Sequence, residues 1–145
     1  MLIHDLTHNL AFKTPVLNVI FLIIANMPHV IPSGVSFRYY HRLHHSHLNE
    51  TYADPDIPGP VEANTFGRSA PGKIVWLGLF PVFQIVRTLR FSKNIFDHWM
   101  ALNWAACLGL GAAVFWAWGA PALVYLLVAS ITSIGLHPIG ARWVA

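Results

Sequence analysis

Residues 100–139 read MALNWAACLGLGAAVFWAWGAPALVYLLVASITSIGLHPI. Two apolar runs, 100–118 and 122–139, carry no formal charge, and His137 is the one titratable imidazole in them. Each run is close to the roughly 20 residues a helix needs to cross the hydrocarbon of a bilayer. Between them stands only Gly119-Ala120-Pro121, a helix stop followed by a residue suited to a helix start. The stretch predicts a tight transmembrane helical hairpin with arms at about 100–118 and 122–139. Arg87, Arg90, Lys93 and Arg142 flank its open end, and cytoplasmic flanks collect positive charge. The tip is therefore expected in the lumen, with His98 and His137 on the cytosolic side.

The remaining composition agrees with an integral membrane protein. Of 145 residues, 55% are hydrophobic and 10% charged, and the mean hydropathy is +0.51. That balance is unlike an ordinary soluble domain. The single cysteine, Cys107, lies in an apolar run, which excludes a disulfide framework or thiolate cluster from this chain alone. A metal would have to be held by nitrogen or oxygen. The net charge of +3 is spread over nine scattered Lys and Arg residues with no basic run, so a nucleic-acid partner is not expected.

Upstream of the hairpin, PVLNVIFLIIANMPHVI (15–31) is interrupted by Asn18, Asn26, Pro28 and His29, which suits a re-entrant or interfacial helix better than a clean span. KIVWLGLFPVFQIVRTLR (73–90) has apolar bulk, Pro81 in its middle and basic ends, as a helix in the headgroup region would. The Pro-, Gly- and acid-rich segment 49–72 reads as a solvated loop. The expected class is thus all-α and integral to the membrane: a helical hairpin, interfacial helices and a cytosolic cap, with neither an internal repeat nor a second domain.

The cap is where imidazole concentrates. His4 and His8 in HDLTH stand four apart, which on a helix places both rings on one face about 5–6 Å apart. His41, His44 and His45 combine spacings of three and four with an adjacent pair. Neighbours on a helix diverge by about 100°, so His44 and His45 can address different metals. A lone HxxxH is most often a surface pair. Two such clusters in a chain so poor in other polar groups point to a metal, with His4, His8, His41, His44 and His45 as ligands. His137, beside Pro138 at a membrane helix end, is costly there unless used and is a candidate auxiliary ligand or a hydrogen-bond donor to one. His47 reads as a solvated neighbour, and His29 and His98 as structural or interfacial.

A hydrolytic zinc site of HExxH type needs a glutamate after the first histidine; Asp5 and Arg42 stand there instead. Imidazole suits iron equally well. Soluble di-iron proteins add several carboxylates, whereas this chain has six acids in all. A nearly all-imidazole iron pair at a membrane face is the best physical account. A non-catalytic histidine-rich membrane protein that binds metal or haem stays open as a reading of another class, although bis-histidine haem needs ligands facing each other inside the membrane.

Taken with their flanks, these residues resemble the membrane desaturases with histidine boxes, and within them the sphingolipid Δ4-desaturases, or dihydroceramide desaturases. HDLTHNLAF (4–12) is similar to the first box, ANMPHVIP (25–32) to the next segment, SFRYYHRLHH (36–45) to the second box, ADPDIP (53–58) to the acidic turn after it, and LVYLLVASITSIGLHPI (123–139) to a later membrane helix. The resemblance implies two non-haem iron ions, O2, and electrons from NADH through cytochrome b5 and its reductase. It implies a trans double bond placed between C4 and C5 of the sphingoid base of dihydroceramide to give ceramide, in the endoplasmic reticulum membrane with the boxes facing the cytosol. A fatty-acyl desaturase or a sphingolipid C4-hydroxylase would use the same irons. The resemblance also implies a third box and membrane helices before the first box, neither of which this sequence offers. A partial desaturase domain over 1–145, with little or no turnover of its own, is the expectation.

Overall fold

Pro15 decides where the first long helix begins: its ring fixes φ near the helical value and its missing N–H is not needed at the first helical position. A computed structural model of the chain describes residues 2–50, 52–89 and 96–135. The distal end of the second apolar arm, His137, Arg90, Lys93 and Arg142 lie outside the described residues. Among those described the chain is all helical, with α1 at Leu2–Thr7, α2 at Pro15–Asn26, a 3-10 turn at Met27–His29, α3 at Gly34–Ser46, α4 at Pro60–Phe66, α5 at Ala70–Leu89 and α6 at His98–Gly135. Two compact units result, Met1–Arg42 with Asn94–Ser130 and Leu43–Lys93 with Ile131–Ala145, and α3 and α6 each continue through a division.

The first unit is built on buried Leu6, Val19, Leu22, Ile23, Val35 and Met100. Burying a side chain such as Leu22 stabilises by about 1.5–3 kcal/mol. Polar residues that interrupt the apolar run of α2 serve this core. Asn18, fully buried, donates to the carbonyls of Phe12 (2.7 Å) and Thr14 (3.1 Å) and accepts from the Phe12 N–H at 3.1 Å, which closes the loop between α1 and α2. Asn26 Oδ1 accepts from the Gly34 N–H at 2.9 Å, Asn103 Nδ2 at 3.1 Å and the Cys107 thiol at 3.4 Å. One carboxamide thereby joins α2, α3 and α6. A side chain at Gly34 would place its Cβ 2.9 Å from both Asn26 Cβ and Leu22 Cδ2, so glycine is what lets the helices approach. The chain bends by 116° between α2 with its 3-10 turn and α3, a bend compatible with either a broken span or a re-entrant loop.

By length and composition one described helix, His98–Ser133 within α6, can cross a membrane. Its outer surface is apolar, with Trp116 89% and Tyr125 72% exposed, the reverse of a helix from a soluble core. Gly119 interrupts it with φ 79° and ψ −177°, a region open to glycine alone. In an unbroken helix residues 111 and 123 would be about 18 Å apart. Instead a Cβ on Gly111 would lie 3.7 Å from Leu123 Cδ1, and residues from both arms, among them Leu108, Phe115, Leu123 and Leu127, line one apolar groove of about 490 Å³ with Val30. Ser130 donates to the His29 carbonyl at 2.8 Å.

In the second unit the segment expected as a solvated loop contains α4. Pro60 starts it and Glu62 reaches back to accept the Gly59 N–H at 3.0 Å, so a helix terminus is capped inside what composition alone calls loop. Glu62 also accepts from Trp76 Nε1 at 3.1 Å and lies 3.5 Å from the Arg87 guanidinium. Arg87 donates to the Asp56 carbonyl at 2.6 Å, and Gln84 to Asp56 Oδ1 at 2.8 Å. Arg87 is only 4% exposed, so this cation of the expected basic flank is used internally. With its polar side turned inward, α5 leaves Ile74, Leu79, Val82, Ile85, Val86 and Leu89 exposed at helical spacing.

Replacing Asn26 by Ala removes an acceptor shared by three helices and should lower stability by about 1–3 kcal/mol, read from thermal unfolding in detergent. Gly119→Ala should cost a similar about 1–3 kcal/mol from backbone strain, whereas Gly109→Ala, where a Cβ meets nothing within 4 Å, should leave the same melt unchanged.

Candidate metal centre

A six-residue helix such as α1 does not hold itself together in water, so the placement of His4 and His8 depends on what α1 packs against. Leu6 and Thr7 are its buried residues, and Thr7 Oγ1 bonds back to the Ile3 carbonyl at 2.9 Å. The histidines come out on the face opposed to α3. Ring centroids are 4.8 Å apart for His4 and His8, 4.8 Å for His4 and His41, and 5.0 Å for His8 and His41. Phe37, one turn before His41, stacks on its ring at 4.8 Å and 14°. His45 follows His41 by one turn of the same continuous helix, and His4, His8, His41 and His45 each offer a ring nitrogen, all within 4.8 Å of one another. Converging imidazole nitrogens of this kind are a donor set for a first-row transition metal, iron included. His4 Nδ1 lies 3.3 Å from Asp5 Oδ1, so Asp5 stands beside its neighbouring imidazole.

His44 is not one of the four. Its Nδ1 lies 2.8 Å from Asp54 Oδ1 and 3.8 Å from Asp56 Oδ2. Asp54 is 3% exposed and also accepts the N–H groups of Asp56 (2.8 Å) and Asn49 (3.1 Å). Burial by itself would raise the Asp54 carboxyl, but these N–H donors and His44 outweigh it and hold the group below its ordinary value. An ionised Asp54 requires the proton of neutral His44 to sit on Nδ1, which leaves Nε2 as the ring's lone-pair nitrogen. Asp54 thus both caps the turn and holds His44. No sequence signal ties residue 54 to residue 44, because the pairing depends on how the turn folds back.

The other histidines lie elsewhere. His47 Nδ1 meets Ser46 Oγ at 2.8 Å and the Leu43 carbonyl at 3.3 Å. His98 is exposed at the start of α6, its ring 5.0 Å from that of Trp99. His29 contributes its backbone carbonyl to Ser130.

The chain is similar to several known proteins. A family profile described as fatty acid desaturase matches residues 1–144. The sphingolipid delta(4)-desaturase/C4-monooxygenase DES2 of Bos taurus is 37% identical over 99% of the chain and 45% of the relative's own length. Sphingolipid delta(4)-desaturase DES1 of Drosophila melanogaster is 34% identical over the same shares, and the sphingolipid delta(4)-desaturase of Candida albicans is 34% identical over 99% of the chain and 38% of its own. The chain spans a little under half the length of the curated relatives it matches. No solved structure matches it. With histidine clusters on two helices, an apolar helix able to cross a bilayer and a family match from end to end, this chain belongs to the fatty acid desaturase family.

Proposed function

We propose that this chain supplies two histidine-box helices of a sphingolipid 4-desaturase, an oxidoreductase that sets a trans double bond between C4 and C5 of a dihydroceramide sphingoid base. The observation that carries the reading is the convergence of four imidazoles from α1 and α3 to within 4.8 Å. His4, His8, His41 and His45 would hold one iron. His44, with Asp54 behind it, would turn Nε2 towards a second, and His137 would serve as an auxiliary ligand. Iron held by these residues would, with O2, supply the oxidising power for hydrogen removal from an unactivated methylene, which side-chain acids and bases lack.

What the protein's own groups contribute is position. Phe37 stacked on His41 limits rotation of that ring. Asp54 fixes the His44 tautomer, as carboxylates behind metal-bound histidines do. The two arms of α6, expected as a transmembrane hairpin, and the bent pair α2–α3 would set the cap at the bilayer surface, with the exposed apolar face of α5 lying in the headgroup region. The reading includes electrons from NADH through cytochrome b5 and its reductase, and an endoplasmic reticulum location with the boxes facing the cytosol. Arg90, Lys93 and Arg142 carry the orientation argument, since Arg87 is paired. Relatives whose printed names include C4-monooxygenase favour a second outcome, hydroxylation at C4, that shares the first hydrogen removal.

Purified chain in detergent should bind Fe(II) or Co(II). His41→Ala should weaken binding by at least about ten-fold, while His47→Ala, outside the group, should not; equal loss in both would remove the four-histidine site. A strong Soret band in the purified protein would favour haem instead. In cells expressing the gene that encodes this chain and fed dihydroceramide, lipid analysis should find the 4,5-trans base. Accumulation of the 4-hydroxylated base alone would move the assignment to a hydroxylase, and desaturated fatty acyl chains alone would move it away from sphingolipids.

A further inference from the structure

We propose that Arg38 is a positioning residue that fixes the first histidine-box helix against the second by binding the C-terminal end of α1. The inference rests on the reading that His4, His8, His41 and His45 share a metal. Arg38 Nη1 donates to the carbonyls of Leu6 at 3.0 Å and Thr7 at 2.8 Å, and Nη2 donates to Asn9 Oδ1 at 3.0 Å. The last carbonyls of a helix have no partner within it, and in α1 those of Leu6 and Thr7 belong to the turn that joins His4 to His8. Asn9, just past the helix, has φ 59°, the left-handed conformation that asparagine tolerates better than most residues. That turn of the backbone presents its carboxamide to the same guanidinium.

The placement of Arg38 along α3 gives these bonds their effect. Arg38 precedes His41 by three residues, so both lie on one face of the helix, and His45 follows on that face a turn later. The face that presents two imidazoles to α1 therefore also grips the α1 backbone. Core contacts at Leu6 and Ile3 set how closely α1 packs and which side it buries, but apolar contact is non-directional and holds the rotation of a six-residue helix about its axis only loosely. A rotation of one residue, about 100°, would carry His4 and His8 away from His41. Three hydrogen bonds from a planar fork to residues 6, 7 and 9 remove that freedom. A lysine, as a point charge on a flexible stem, cannot reproduce such a fork.

The test separates geometry from metal binding. Spin labels on Leu2→Cys and Tyr39→Cys, both exposed positions on α1 and α3, report the distance between the helices without metal, with buried Cys107 out of the label's reach. The expected distribution is narrow in the parent and in Arg42→Ala, and broadened in Arg38→Ala and Arg38→Lys. The metal readout is Co(II) titrated into the unlabelled chain, with its visible absorption recorded. The expected result is at least ten-fold weaker binding and an altered spectrum for Arg38→Ala and Arg38→Lys, with helix content by circular dichroism unchanged. Should Arg38→Ala lose helix content, Asn9→Ala removes one of the three bonds and should still broaden the distribution in a folded chain. Unchanged distances in folded Arg38 or Asn9 variants would overturn the proposal. A parent that binds no Co(II) while its label distances still respond to Arg38 would overturn the shared-metal reading and leave the clamp standing.

Discussion

Asn26 sits where three helices meet, and the geometry of the first unit follows from how its carboxamide is satisfied. An amide buried without partners costs several kcal/mol; here one oxygen accepts from Gly34, Asn103 and Cys107. These bonds set the start of α3 against the end of α2 at a place where only a glycine allows the approach. From that start, seven residues of rigid helix, about 10 Å, lead to His41. The position of a candidate metal ligand is thus determined at the far end of its helix by a hydrogen bond well away from the imidazole group.

Helical periodicity then divides the second box between two environments. His41 and His45 share a face and join His4 and His8, while His44, about 100° away, meets a buried carboxylate. Adjacent residues in one motif consequently differ in their surroundings. A single short helix and one turn of another supply the four-nitrogen group, so tertiary bonds from α3 to α1 matter more to this site than helix propensity does.

Much of this was legible in the sequence, and the parts that were not share a cause. The two apolar arms, their interruption at residues 119–121 and the placement of both boxes on helices all follow from local period and local breakers. Asn18 and Asn26 read as blemishes in an apolar run because hydropathy counts a polar residue without seeing its partner, which for Asn26 lies as far as residue 107. Residues 49–72 read as solvated for the same reason: Pro, Gly and acids suggest a loop, yet Glu62 and Asp54 are buried on partners at residues 76 and 44. Arg87 counts as a flanking cation until its pairing with Glu62 and Asp56 is seen. Local pattern fixed the elements, and long-range polar pairing, invisible to it, fixed their use.

On α5 the ordinary relation between surface and interior is reversed, since Trp76, Gln84 and Arg87 are turned in and Ile74, Leu79, Val82 and Ile85 face out. Mutational tolerance there should be reversed as well. With α5 at the bilayer surface as proposed, outward positions, which in a water-soluble helix accept lysine or glutamate freely, would become the intolerant ones, and an engineer seeking solubility by charging the surface of this helix would remove the side it offers to lipid.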